Sequence, residues 1–256
     1  MKYLSFTILL ISIAFAYEDG WYELDSQDEA PVEVTLNINN ADTVRVTYSV
    51  PGFYMEADED SSDYWKLRFK DRYEATDSLG LPQLPLICDM IAIPECDSYQ
   101  IAVSYTDSTI LDTITIYPVP EWECDSTDTN CYYIFTKDTT FYNTNTAYPT
   151  FVYESDDGKI RAQNVLHWTL RPFIYNASQK VLKVYKSVTI TVRFFGSNDT
   201  LCVEAGPMNN ILNVLLLNSD HFPRFASPLV MDTTDSAEKH KTAKTNDNEM
   251  KITKIF

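Results

Sequence analysis

The residues able to do chemistry in this 256-residue chain are few and scattered: three histidines, His167, His221 and His240, and five cysteines, Cys88, Cys96, Cys124, Cys131 and Cys202. A cysteine nucleophile needs a histidine base, and that base needs an orienting group, all held by one scaffold. His167 lies beside Trp168 in an extended run and reads as a packed or half-exposed strand histidine. His221 and His240 fall in a terminal stretch with no periodicity to hold them. No serine or cysteine sits in a nucleophile signature, and six glycines leave no glycine-rich phosphate loop. No catalytic residue and no cofactor is assigned.

The run from Glu56 to Asp63, EADEDSSD, has oxygen ligands suited to calcium. It lacks the glycine at the sixth position and the closing glutamate of an EF-hand loop, so it reads as a solvated acidic hairpin tip. The histidines and cysteines lack zinc-site spacing, and no metal site is assigned. Cys124 and Cys131 bracket the polar run DSTDTN and are placed to close it as a disulfide, which would stabilise the loop by about 2–3 kcal/mol. Cys88 and Cys96 stand too far apart along one extended run, CDMIAIPEC, to meet each other. An odd cysteine stays free or pairs between chains, and the remaining connectivity is open. Asn176-Ala177-Ser178 and Asn198-Asp199-Thr200 match the glycosylation triplet.

A formal charge of −17 excludes a nucleic-acid role, which needs clustered Lys and Arg, and disfavours adhesion to anionic membranes. At the N-terminus, Met1-Lys2 precedes an apolar stretch from Leu4 to Phe15, and Ala14-Phe15-Ala16 gives a small-x-small site. Residues 1–16 are a predicted signal peptide cleaved between Ala16 and Tyr17, too short for a membrane span. No later stretch reaches transmembrane length. The expected location is secreted or extracytoplasmic, in the periplasm or at the cell surface.

The elements that would position these residues are strands. The 17 Tyr, 13 Phe and 4 Trp favour a sheet protein. From Lys159 to Phe195 two long extended runs flank the polar cluster Asn176–Lys180 and read as a long β-hairpin. In its second run Leu182, Val184, Val188, Ile190, Val192 and Phe194 share one parity, the mark of one buried and one wet face. Val32–Ile38 and Val44–Val50 read as another hairpin, and Trp65–Phe69, Ile87–Pro94, Tyr99–Tyr105, Ile110–Tyr117, Tyr132–Phe135 and Thr150–Tyr153 as strands. Ser155–Gly158 reads as a turn, and Gly80–Pro85 as a proline-rich crossing segment. Ile211, Leu212, Leu215 and Leu216 fall at helical spacing.

The expected fold is all-β, an antiparallel β-sandwich of jelly-roll-like kind with one short C-terminal helix and a disordered tail. In order, residues 17–31 form an irregular segment, 32–200 the sandwich, 201–230 a linker with the helix, and 231–256 the disordered polar tail.

Four stretches, in order, give the chain a resemblance to the N-terminal propeptide domain of gingipain-type secreted cysteine peptidases. They are Val50-Pro51-Gly52-Phe53-Tyr54-Met55-Glu56; Gly80-Leu81-Pro82-Gln83-Leu84-Pro85 followed by Ile91-Ala92-Ile93-Pro94; Thr146-Ala147-Tyr148-Pro149; and Arg171-Pro172-Phe173-Ile174-Tyr175-Asn176 with Leu182-Lys183-Val184-Tyr185. Ile174 stands where that family usually has Gln, and Ala177 where it has Pro. A weaker similarity at Asn210–Asp220 extends the resemblance over about residues 30–222. It implies a non-catalytic prodomain that assists folding and masks the active-site cleft of a cysteine peptidase until cleavage. The implied partner is a gingipain-type catalytic domain, in cis if the gene is interrupted and otherwise in trans. The chain is then either the front part of a zymogen or a stand-alone remnant.

In such prodomains a loop after the strand pair equivalent to Tyr99–Tyr117 enters the cleft, with a specificity-matching residue at its tip. The corresponding stretch, Val119–Tyr132, holds no Arg or Lys, so the arginine- or lysine-directed version does not transfer. Glu121, Trp122 and Glu123 are left as the inhibitory-loop candidates. The competing expectation is an exported structural or adhesive β-sandwich with no protease partner.

Overall fold

The computed structural model describes residues 17–25, 28–59, 63–124, 131–151, 153–160, 163–197, 208–219 and 250–255. The expected signal peptide, His221, His240, Cys202 and the Asn198 triplet lie outside the described residues, and Tyr17 is the first of them.

In chain order the strands are β1 (Gly20–Glu23), β2 (Glu33–Asn39), β3 (Thr43–Ser49), β4 (Gly52–Ala57), β5 (Trp65–Arg68), β6 (Ile87–Ala92), β7 (Ser98–Leu111), β8 (Glu121–Cys124) and β9 (Cys131–Ile134). Helix α1 (Thr139–Asn143) follows, then β10 (Ala147–Tyr148), β11 (Tyr153–Ile160), β12 (Gln163–Leu170), β13 (Phe173–Asn176), β14 (Val181–Phe195), helix α2 (Met208–Leu215) and β15 (Met250–Ile255). All named pairings are antiparallel. They make a seven-stranded sheet around β14, two three-stranded sheets, β1-β4-β5 and β11-β12-β6, and the separate hairpin β8-β9.

β14 is the spine. Its residues Leu182, Val184, Val188, Ile190, Val192 and Phe194 are all buried, as their shared parity requires. One edge takes β13 at Val181–Val184 and β3 at Ser187–Arg193, while the other takes β7 along nearly its whole length. The long hairpin expected over 159–195 is therefore short. Arg171-Pro172 interrupts the first run, because proline has no N–H for a ladder and restricts the residue before it. The chain changes sheets there: β12 pairs with β6 and β11, and β13 alone turns back onto β14.

Trp168, wholly buried on β12, donates from Nε1 to the hydroxyl of Tyr48 on β3 at 2.8 Å, joining two sheets through the core. Tyr175 donates to the Ile114 carbonyl at 3.0 Å, and Phe173 meets Phe53 of β4 edge-on at 5.1 Å. One hydrophobic cluster thus takes residues from all three larger sheets. This is the packing of a sandwich in which the Trp168 ring N–H and the Tyr175 hydroxyl find partners inside the core.

Several local expectations change. Residues 17–31 are not wholly irregular, since β1 pairs with β4 and places Tyr22 against Phe53; the acidic neighbours of Trp21-Tyr22 hide a strand too short to alternate. Ser155–Gly158 lies inside β11, in register with Trp168 to Val165 of β12, so the turn falls later in the chain. There Asp157 accepts from the Tyr99 hydroxyl at 2.8 Å instead of forming a loop. The strand expected at Ile110–Tyr117 ends at Leu111, within a single 14-residue β7, and residues 150–151 are outside any strand.

A five-residue helix unseen in the sequence, α1, is capped by the Asp138 carboxylate, which accepts from Phe141 N at 2.9 Å. Met250–Ile255, expected in a disordered tail, forms a strand against β7, and residues 231–249 lie outside the described residues. Buried with Ala92 and Val165 are Leu212 of α2 and Leu216, just after the helix. Just beyond it, Asn218 is fully buried and bonds both the N–H and the C=O of Ala92, at 2.8 and 3.0 Å, finishing the edge of β6. No helix among the described residues is long and apolar enough to cross a membrane.

Candidate functional site

β8 and β9 form an arm that belongs to no larger sheet. All four residues of β8 and three of the four in β9 are exposed. Neither face of this ribbon is covered, so burial cannot hold it together. Cross-links do so instead. Cys124 and Cys131 stand opposite each other in the register, with Cα atoms 4.0 Å apart, and are joined as a disulfide. Two positions toward the body, Trp122 faces Tyr133 with ring centroids 4.4 Å apart.

Side chains alternate along each strand, so the arm has two different faces. Trp122, Tyr133 and the disulfide share one. Glu121 and Glu123 share the other with Tyr132, whose hydroxyl donates to Glu123 Oε2 at 3.2 Å. The three candidate residues are thus adjacent but not convergent: the two carboxylates point one way and the indole the other. The tip between the cysteines, residues 125–130, lies outside the described residues.

The root of the arm is anchored with care. Tyr117, just before β8, and Phe135, just after β9, pack edge-on at 5.6 Å, and Tyr64 meets Phe135 at 5.2 Å. Lys66 Nζ lies 4.5 Å over the Tyr117 ring and 2.6 Å from Asp58. Lys137 Nζ lies 4.6 Å over Tyr142 and donates to the Tyr64 hydroxyl at 3.0 Å. The Gly80–Pro85 segment carries both legs: Gly80 N donates to the Val119 carbonyl at 2.9 Å, and Asp138 N donates to the Gly80 carbonyl at 3.0 Å. Gly80 has φ +76°, and a Cβ there would lie 2.9 Å from Asp138 N. A glycine is required where the two legs pinch together. The sequence reads this segment as a crossing and as part of the family resemblance, and neither reading assigns Gly80 this role.

The other candidates are dispersed. His167 sits half-buried on β12, paired in register with Asp156 and Met90. Cys88 and Cys96 are free thiols, and burial, with Asp97 beside it, pushes the Cys96 thiol up to about 11, away from the reactive thiolate. The acidic stretch is less solvated than its composition suggests, because Asp58 is buried against Lys66 and Glu56 pairs with Arg68 at 2.8 Å. Among the described residues no cluster of three or more His, Cys, Asp or Glu is placed to hold a metal ion.

A family profile described as Propeptide_C25 matches residues 30–222. Two solved structures from Porphyromonas gingivalis are similar in fold. A chain of the complex of RgpB pro- and mature domains is 16% identical, with a TM-score of 0.54, over 73% of this chain and 97% of that one. A chain from a study of zymogenic latency of gingipain K is 14% identical, with a TM-score of 0.55, over 70% of this chain and 99% of that one. No curated protein matches.

Proposed function

This chain belongs to the Propeptide_C25 family, and from that membership we propose that it is an exported, non-catalytic prodomain that masks the active-site cleft of a gingipain-type cysteine peptidase and assists that enzyme's folding. The observation that carries the reading is the β8–β9 arm. It is a covalently closed ribbon with both faces in solvent, held at its root by aromatic packing and by Gly80. Such a ribbon costs stability unless something covers it, and its shape suits insertion between two walls.

The blocking action is occupancy without chemistry. A pre-ordered extended segment lies in a cleft built for extended substrates, and the ordering entropy has been met in advance by the disulfide. Glu121 and Glu123 address one wall and Trp122 the other. The absence of Arg and Lys from Val119–Tyr132 directs the arm to a peptidase whose primary pocket is not acidic. The partner acts in cis where the two domains share a chain and in trans where they do not, outside the cytoplasm in either case.

The test uses purified residues 17–256 against C25 catalytic domains of differing cleavage preference. At least one should be inhibited, and the variant E121A/W122A/E123A should lose that inhibition with an unchanged melting temperature. Unaltered inhibition by the triple variant removes the arm from the mechanism. Failure to inhibit any domain removes the masking function itself.

A further inference from the structure

An arm of two four-residue strands is too small to hold a peptidase alone. Stable interfaces bury roughly 800 Å² and about 20–30 residues on each partner. The masking surface must continue onto the body, and the body offers a place directly at the arm's root. A groove of about 490 Å³ lies there, lined among others by Tyr73, Asp77, Tyr117, Val119, Pro120 and Tyr133. It is continuous with the arm: Val119-Pro120 is the leg that enters β8, and Tyr133 belongs to β9. Tyr73 is 80% and Tyr133 68% exposed. Two aromatic rings left that bare beside one groove mark a surface built to be covered.

The charges around the groove say by what. Its lysine, Lys66, is neutralised by Asp58 at 2.6 Å and rests on the Tyr117 ring. Asp77 in the groove and Glu74, next to Tyr73 in the chain, are both exposed. The surroundings are therefore tyrosine rings with an excess of carboxylate. An arginine side chain fits both features, since its flat guanidinium stacks on phenol rings and its fork of N–H donors matches a carboxylate. Resting on the masking function, we propose that this groove is the second contact of the complex and that it receives an arginine-bearing loop from the rim of the peptidase's cleft.

The experiment compares the parent chain, Tyr73→Ala, Asp77→Asn, Tyr73→Phe and E121A/W122A/E123A as inhibitors of the C25 domain that the parent inhibits most strongly. Both altered groove residues are exposed, so thermal melts of all variants should coincide. Tyr73→Ala and Asp77→Asn should each raise the inhibition constant roughly tenfold, the scale of one desolvated cation–π or charge-assisted contact. Tyr73→Phe, which keeps the ring face, should stay within about threefold of the parent. The Asp77→Asn effect should shrink as salt is added. If the arm variant loses inhibition while Tyr73→Ala and Asp77→Asn inhibit like the parent, the groove is not a contact and the masking function stands. If the parent inhibits no C25 domain, both ideas fall together.

Discussion

β12 buries Gln163, Val165, Leu166, Trp168 and Leu170 among eight residues, whereas β8, with an equally strand-compatible sequence, buries none of its four. The first strand is held by the water it excludes. The second is held by what it is tied to: a disulfide, a ring pair and a glycine clamp. The difference teaches where each kind of disturbance should act. Conditions that attack burial should unfold the body, while changes that cut ties should loosen the arm and leave the body standing.

The sharpest way to strike the body alone is alkali. Tyr48, Tyr99, Tyr142, Tyr153 and Tyr175 are buried, and burial raises every one of their phenol pKa values above the ordinary 10, that of Tyr175 to about 12. Each phenol then holds its proton in the folded chain at a pH where the unfolded chain has released it. Stability is full below about pH 10 and is lost as pH rises beyond it, by up to about 1.4 kcal/mol per phenol and pH unit. Five such groups bring the loss at pH 11 to several kcal/mol, on the scale of the whole stability of a domain. The urea midpoint should hold level from pH 7 to 9.5 and fall steeply by pH 11. A level midpoint through pH 11 would show that these rings are not sealed in the core.

Next in size is Trp168→Ala. It empties the largest fully buried side chain and removes the Nε1 donor from the Tyr48 hydroxyl, and should cost about 3–5 kcal/mol. The matching change on the arm, Trp122→Ala, should shift the global midpoint by less than about 0.5 kcal/mol. Equal losses from the two tryptophans would erase the distinction between body and arm.

How much of this could be seen in the sequence follows the same division. The parity of Leu182 to Phe194 was legible because one face of β14 is buried and the other is wet, and burial writes alternation into a strand. β8 does alternate, Glu121 and Glu123 against Trp122 and Cys124, but over only four residues and with neither face buried, and β9 showed as the short aromatic run Tyr132–Phe135. The other visible signs were the paired cysteines and, through family resemblance, the place of both strands after Tyr117. β12 and β13 read as one run because each is apolar, and the break rests on the single residue Pro172, whose effect depends on which sheet lies beyond. Gly80 could not be read as a clamp at all: its partners, Val119 and Asp138, are distant in sequence and meet only in the fold.

Cutting the arm's covalent tie is the third test. The double variant C124S/C131S reopens a loop spanning seven sequence positions, worth about 2–3 kcal/mol to the local closure. That loss should appear as faster amide exchange in β8 and β9 and as weaker inhibition, with the body's unfolding midpoint unmoved. A fall of the global midpoint by the same amount would mean that the arm folds as part of the core.

The smallest effect tests the join between the regions. Gly80→Ala forces an L side chain into φ +76° and sets its Cβ 2.9 Å from Asp138 N, backbone that cannot swing aside. The left-handed conformation alone costs roughly 1–2 kcal/mol. Either the residue relaxes, breaking the Gly80–Val119 and Asp138–Gly80 hydrogen bonds that pinch the legs, or the strain stays in place. Gly158→Ala is the fitting control, because nothing lies within 4 Å of its Cβ position in β11 and its φ is not in the left-handed range; it should change stability by less than about 0.5 kcal/mol. Gly80→Ala should lower the urea midpoint by the cost of strain and weaken inhibition as well, a pairing that neither Trp168→Ala nor Trp122→Ala shares in the same proportion. If Gly80→Ala were as silent as Gly158→Ala, the arm's aim would have to come from the Tyr64–Tyr117–Phe135 packing without the clamp.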